Sequence, residues 1–170
     1  MTELILALDV TEKKKALQIA EACAPHLDAI KLGYPLILSS GLSIAGELEA
    51  LDKPLIADFK VADIPNTNRL IAEQVFDAGF SSIICHGFTG ADTVQACVDV
   101  AADYGGACFV VAEMSHPGAT AFFHGGSAEK IAALAVECGA DGIIAPATRP
   151  ERVKILREIV GKRKILSPGV

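Results

Sequence analysis

Asp58, Lys60 and Asp63 are the residues of this chain whose types and spacing could do chemistry: a D-x-K-x-x-D pattern at the end of the apolar run Leu55, Ile56, Ala57. A parallel strand covered on both faces is almost wholly apolar, and ionised groups at its end are costly unless paired. Side chains two apart on a strand share a face, so Asp58 and Lys60 stand side by side while Phe59 points the other way. Asp63 then lies beyond the strand, in a turn stopped by Pro65, as a second carboxylate near one ammonium. The chemistry open to such a trio is electrostatic: an ammonium fixed by carboxylates can stabilise negative charge developing beside it and can donate a proton. The bland alternative is an ion-pair network that fixes a strand end, because structural pairs perturb titration just as functional ones do.

The elements that must hold these residues follow from the hydrophobic pattern. Apolar runs at 4–9, 29–34, 54–60, 81–87, 107–114, 142–147 and 164–170 read as seven strands. Helix-period stripes lie between them: Leu17, Ala20, Ala24 and Leu27; Leu70, Ile71, Val75 and Ala78; Val94, Cys97, Val98 and Ala101. Gly79, Gly105 and Gly139 follow helices, Ser127 is placed to cap one, and Pro150 suits a first helical position after Thr148. Strict strand and helix alternation means parallel strands joined by right-handed crossovers.

Polar residues end nearly all the strands: Asp9, Lys31, Asp58 and Lys60, His86, Ser115, Thr148 and Ser167. An open sheet concentrates its site at one switch point, whereas a barrel collects strand ends around one mouth. No G-x-G-x-x-G follows the first strand, so a dinucleotide-binding reading lacks its fingerprint. The expected fold is an α/β TIM (β/α)8 barrel, one domain over residues 1–170, with the sequence reaching only the seventh strand. A helix, an eighth strand and a final helix are expected beyond it, in a functional polypeptide heavier than 17.7 kDa.

Composition narrows the class. The chain has 170 residues, is 51% hydrophobic and carries a formal charge of -6, which argues against a nucleic-acid partner. The basic group Lys154, Arg157, Lys162, Arg163 and Lys164 reads as a solvated helix end. Cys23, Cys85, Cys97, Cys108 and Cys138 form no C-x-x-C pair and sit in apolar segments, as small buried hydrophobes in a reducing compartment do. The first apolar run is too short and too soon acidic, at Asp9, for a signal peptide, and no uncharged run is long enough to span a membrane. A cytoplasmic location is the expectation.

Taken in order, the segments ending in Asp9 and Lys31, the motif Asp58, Lys60, Asp63, Ile64, Pro65, Thr67, the run Glu113, Met114, Ser115, His116, Pro117, Gly118, and Ser167, Pro168, Gly169, Val170 resemble the orotidine 5'-phosphate decarboxylases, the short archaeal type most closely. D-x-K-x-x-D is shared with phosphosugar decarboxylases and hexulose phosphate synthases; Asp-Ile-Pro-x-Thr and Met-Ser-His-Pro-Gly are more specific. The resemblance implies a β/α barrel acting as a homodimer without metal or organic cofactor, converting orotidine 5'-phosphate to UMP in de novo pyrimidine biosynthesis. It implies ribose contacts for Asp9 and Lys31, and a charged chain of Lys31, Asp58, Lys60 and Asp63 with Lys60 as proton donor. It also implies that Asp63 and Thr67 serve the partner's site, that Ser115 bonds the pyrimidine amide, and that Pro168, Gly169 and Val170 begin a phosphate loop. A phosphate-contacting glutamine and arginine are expected beyond Val170. The rival readings are a metal-dependent phosphosugar decarboxylase or synthase, and a nucleotide-binding fragment with impaired catalysis.

Other polar residues receive plainer readings. His86 beside Cys85 suggests a metal or nucleophile pair only superficially, since strand neighbours face opposite sides. His116 shapes the turn after Ser115, and His124 falls in exposed loop. The segment 116–126, with Gly118, Gly125 and Gly126 as hinges, reads as a lid on the pyrimidine side. Thr148 and Arg149 read as helix-capping residues, Tyr34 and Pro35 as shaping the loop after Lys31, and Phe59 as core packing.

Overall fold

The computed structural model describes residues 2–169. Seven parallel strands run β1 (Ile5–Leu8), β2 (Ala29–Gly33), β3 (Leu55–Val61), β4 (Ser82–His86), β5 (Ala107–Val111), β6 (Gly142–Ile144) and β7 (Lys164–Leu166), each hydrogen-bonded to the next in chain order. Regular pairing stops short of several expected strand ends, yet isolated bonds continue upward. Ala112 and Glu113 both donate to the Ile144 carbonyl, Ala145 donates to Leu166, and Ala147 donates to Pro168. The expected runs therefore extended past the ladder into the loops that line the mouth.

The sheet curls. Lys164 on β7 lies 3.2 Å from Glu3, just before β1, and Ile5 and Leu166 pack against one interior cluster with Ala29, Ile56, Ile84, Phe109, Val111 and Ile144. Strand alternation accounts for this membership, for each strand gives every second residue to the inside. The intervening residues, among them Ile30, Leu32, Ala57, Ile83, Val110 and Ile143, face outward into the larger cluster beneath the helices. This is the wall of a β/α barrel.

The helices are α1 (Lys13–Cys23), α2 (Tyr34–Ser40), α3 (Ile44–Leu48), α4 (Pro65–Asp77), α5 (Ala91–Asp103), α6 (Thr120–Phe123), α7 (Ser127–Glu137) and α8 (Pro150–Val160). Pro150 opens α8 as expected, with its fixed φ suited to a first turn. Ser127 does not cap: it is the first residue of α7, and Gly126 in the left-handed region precedes it. The stripe on α4 is also displaced. Asn68, Ala72, Val75 and Phe76 are buried, whereas Leu70 is exposed. Tyr34 begins α2 instead of shaping a loop, and its ring stacks on Phe59 at 5.0 Å. Phe59 is buried and also meets Phe80 edge-on, the packing role expected of it.

All five cysteines are free thiols, four of them buried. No helix among the described residues is long and apolar enough to cross a membrane.

Candidate active site

The inward positions change character on climbing each strand. On β2, Ala29 gives way to Lys31, and on β3, Ile56 gives way to Asp58 and then Lys60. Apolar residues thus fill the barrel's lower interior, while charge collects at the C-terminal mouth, where barrel enzymes place their chemistry. A cavity of about 590 Å³ occupies this mouth, with Asp9, Lys31, Asp58, Lys60, Ser115 and Pro168 in its wall. A second hollow, of about 500 Å³, sits at the opposite end of β3 between Asp52, Lys53, Pro54 and Asp77. Its charged residues Glu49, Asp52, Lys53 and Asp77 form no ion pair with one another among the described residues.

Asp58 is the centre of the charge cluster. One carboxylate oxygen accepts from Lys31 Nζ, and the other accepts from Lys60 Nζ at 2.6 Å. Its side chain is 11% exposed. Burial alone would raise the carboxyl group's pKa, but the Lys31 and Lys60 ammonium groups outweigh that and hold it below the usual range. Asp58 with Lys31 and Lys60 carries one net positive charge, and Asp9 brings a second carboxylate to the same wall.

The backbone beneath Lys60 is unusual. Its φ is +48°, and the pairing of β3 with β4 shifts register between Ala57 and Val61. Left-handed backbone costs a lysine roughly 1–2 kcal/mol, because its Cβ crowds the following carbonyl oxygen. The bulge aims Lys60 while its neighbours Phe59 and Val61 stay buried on the helix side. The shared face of Asp58 and Lys60 was legible from spacing; the bulge was not.

Asp9 reaches the mouth because Gly33 lacks a side chain: a Cβ at Gly33 would collide with the Asp9 carboxylate. Ser115, with Met114 and His116, forms the β5 side of the cavity, and Pro168 and Gly169 form the β7 side. Val170 lies outside the described residues. Asp63 and Thr67 are absent from this cavity's lining. Asp63 accepts the Ile64 N–H at 2.7 Å, and its own N–H donates to Asn68 Oδ1 at 3.0 Å, on the exposed approach to α4.

Two further readings need correction. Thr148 does not cap α8, since its hydroxyl donates to the Ser115 carbonyl at 3.2 Å. Arg149 occupies the cap position but makes no side-chain cap bond; its Nε donates to Glu113 at 3.0 Å. The segment 116–126, read as a lid, holds a 3-10 turn (Pro117–Ala119) and α6. His124 is exposed in part, as expected, yet its Nε2 lies 3.1 Å from Glu113. Glu113 itself, fully buried between Arg149 and Arg152, was assigned no role from sequence. A carboxylate closing an apolar run was the available signal, the same one that singled out Asp58.

His86 ends β4 with its ring 4.8 Å from Phe88 and 6.5 Å from Phe123. Its Nδ1 is buried and makes no hydrogen bond among the described residues. Burial, helped by the Lys60 charge, lowers its pKa, so the ring is neutral at ordinary pH.

Comparison with known proteins agrees with this geometry. A profile of the family described as "Orotidine 5'-phosphate decarboxylase / HUMPS family" matches residues 2–170. The chain is 61% identical over 170 residues to an orotidine 5'-phosphate decarboxylase of Methanosarcina mazei, covering 99% of this chain and 76% of that protein. It is 58% identical over 168 residues to the protein of that name from Methanococcoides burtonii, covering 98% and 77%. A crystal structure of orotidine 5'-monophosphate decarboxylase from Methanocaldococcus jannaschii, complexed with the inhibitor BMP, superposes with a TM-score of 0.96 at 46% identity, covering 100% of this chain and 78% of that one. With matched residues spanning the strands, the bulged charge cluster and the mouth, the chain belongs to the orotidine 5'-phosphate decarboxylase / HUMPS family.

Proposed function

We propose that this chain decarboxylates orotidine 5'-phosphate to UMP, the activity named in its relatives. The observation that carries the reading is the array of Lys31, Asp58 and Lys60 at the cavity wall. Breaking the bond between C6 and the carboxylate leaves an electron pair in an in-plane sp2 orbital that the ring π system cannot delocalise. Stabilisation must then come from placed charge. Lys60 faces the developing carbanion and afterwards donates the proton to C6. Asp58 holds both lysines aimed through its two carboxylate oxygens.

Around this centre, Asp9 and Lys31 contact the ribose, Ser115 bonds the pyrimidine amide, and Pro168, Gly169 and Val170 open the phosphate loop. The cavity supports these assignments for all but Val170, since each of the others lines it. Asp63 and Thr67 complete the site of a second copy in a homodimer. Two observations support that arrangement: both residues stand outside their own cavity, and Ile64 and Leu70, their near neighbours along the chain, are exposed large hydrophobics.

The test is loss of the orotidine 5'-phosphate ultraviolet signal on incubation with the protein. Lys60→Ala is expected to lower turnover by about a thousandfold or more, the effect of one fixed charge worth about 4 kcal/mol, while UMP still binds. EDTA is expected to leave turnover unchanged. Retained activity in Lys60→Ala refutes the role of Lys60, and activity lost to chelator favours the metal-dependent phosphosugar reading instead.

A further inference from the structure

Glu113 stands behind the cavity wall, 0% exposed, where an ionised carboxylate is costly unless fully bonded. It is well supplied: Arg152 Nε donates at 2.8 Å, Arg149 Nε at 3.0 Å, and His124 Nε2 lies at 3.1 Å. Burial by itself would raise the pKa of Glu113; the bonds from Arg152, Arg149 and His124 overcome this and keep it ionised. Arg152 also reaches Glu129 on α7 at 2.8 Å, so the α7 and α8 packing has an anchor that does not involve Arg149.

Arg149 spends its other two nitrogens differently. One donates to the Ser115 carbonyl at 3.4 Å and the other to the Met114 carbonyl. These carbonyls belong to the two peptide groups that flank Ser115, so one planar guanidinium fixes both peptide planes and with them the direction of the Ser115 side chain. The Thr148 hydroxyl donates to the same Ser115 carbonyl at 3.2 Å. The structure assigns Glu113 and Arg149 as positioning residues: Glu113 aims the Arg149 guanidinium, and Arg149 clamps the backbone on either side of Ser115 so that its hydroxyl is presented to the base of a bound nucleotide. The assignment rests on the proposed function, in which Ser115 meets the pyrimidine.

The experiment is a double-mutant cycle of Arg149→Ala and Ser115→Ala in the full-length enzyme, reading kcat/KM for orotidine 5'-phosphate and the inhibition constants of UMP and ribose 5-phosphate. Each single variant is expected to lose about 10- to 100-fold in kcat/KM, the usual effect of misplacing one contact group. The double variant should lose no more than the worse single. UMP, which carries the base, should bind more weakly, and ribose 5-phosphate, which lacks it, should bind as before. Additive losses, or equal weakening of both inhibitors, would overturn the assignment, because a general structural defect has no reason to spare the ligand without a base. If Arg149→Ala gives no cooperative thermal transition, Thr148→Val replaces it in the cycle, with the same non-additivity expected and additivity again decisive against. A wild-type enzyme that neither turns over orotidine 5'-phosphate nor binds UMP overturns the functional reading as well; an active one with additive losses overturns only the clamp.

Discussion

At the scale of single residues, Asp58 and Glu113 apply the same device. Glu113 is fully buried and Asp58 partly so, and in each the desolvation is outweighed by cations, so each has a pKa below its ordinary value. The unfolded chain therefore takes up protons first as pH falls. The stability these groups contribute is fully present above about pH 5, and is lost progressively as pH drops through about 4 and below. Denaturant unfolding at a series of pH values should show this decline. Asp58→Asn should make the slope of unfolding free energy against pH shallower over that window; an unchanged slope would mean that Asp58 is not ionised and paired in the folded protein.

At the scale of elements, the strand order and the crossovers were legible because seven apolar runs alternate with helical stripes, a pattern with few topological solutions. Lys31, Asp58 and Lys60 were legible because charge at the end of a buried strand conflicts with its surroundings. The φ of Lys60 was not, since a bulge depends on how β3 and β4 pair and not on local composition. Nor was the Glu113 cluster, whose members come from β5's end, the segment before α7, and α8, and meet only after folding. Close approach of backbones is equally invisible in sequence. A Cβ at Gly142 would meet the Lys164 carbonyl group and stand 3.0 Å from Phe109 Cδ1. Gly142→Ala must therefore push β7 away from β6, and is expected to cost about 1–3 kcal/mol, seen as a lowered Tm. Wild-type stability in that variant would show that β7 can shift freely.

For the molecule as a whole, the division between residues inside the cavity and residues outside it leads to a test of assembly. If Lys60 acts in its own subunit while Asp63 acts in the partner's, Lys60→Ala and Asp63→Ala damage different halves of one site. Mixing the two inactive proteins under conditions that exchange subunits should recover about a quarter of wild-type activity, the share of sites that receive both intact residues in random dimers. No recovery after proven exchange would place both residues in one subunit's site. Activity per protomer should also fall on dilution, as the dimer dissociates.

The left-handed backbone at Lys60 sets selection for durability against selection for turnover. At that position asparagine or glycine accepts the conformation more readily than lysine, so a library sorted by heat resistance alone should drift toward them and lose activity as it does. A library sorted by growth that depends on the enzyme's making its product should keep lysine and recover its stability elsewhere. Sequencing both populations at position 60 would reveal how much durability the protein forgoes to keep its ammonium aimed.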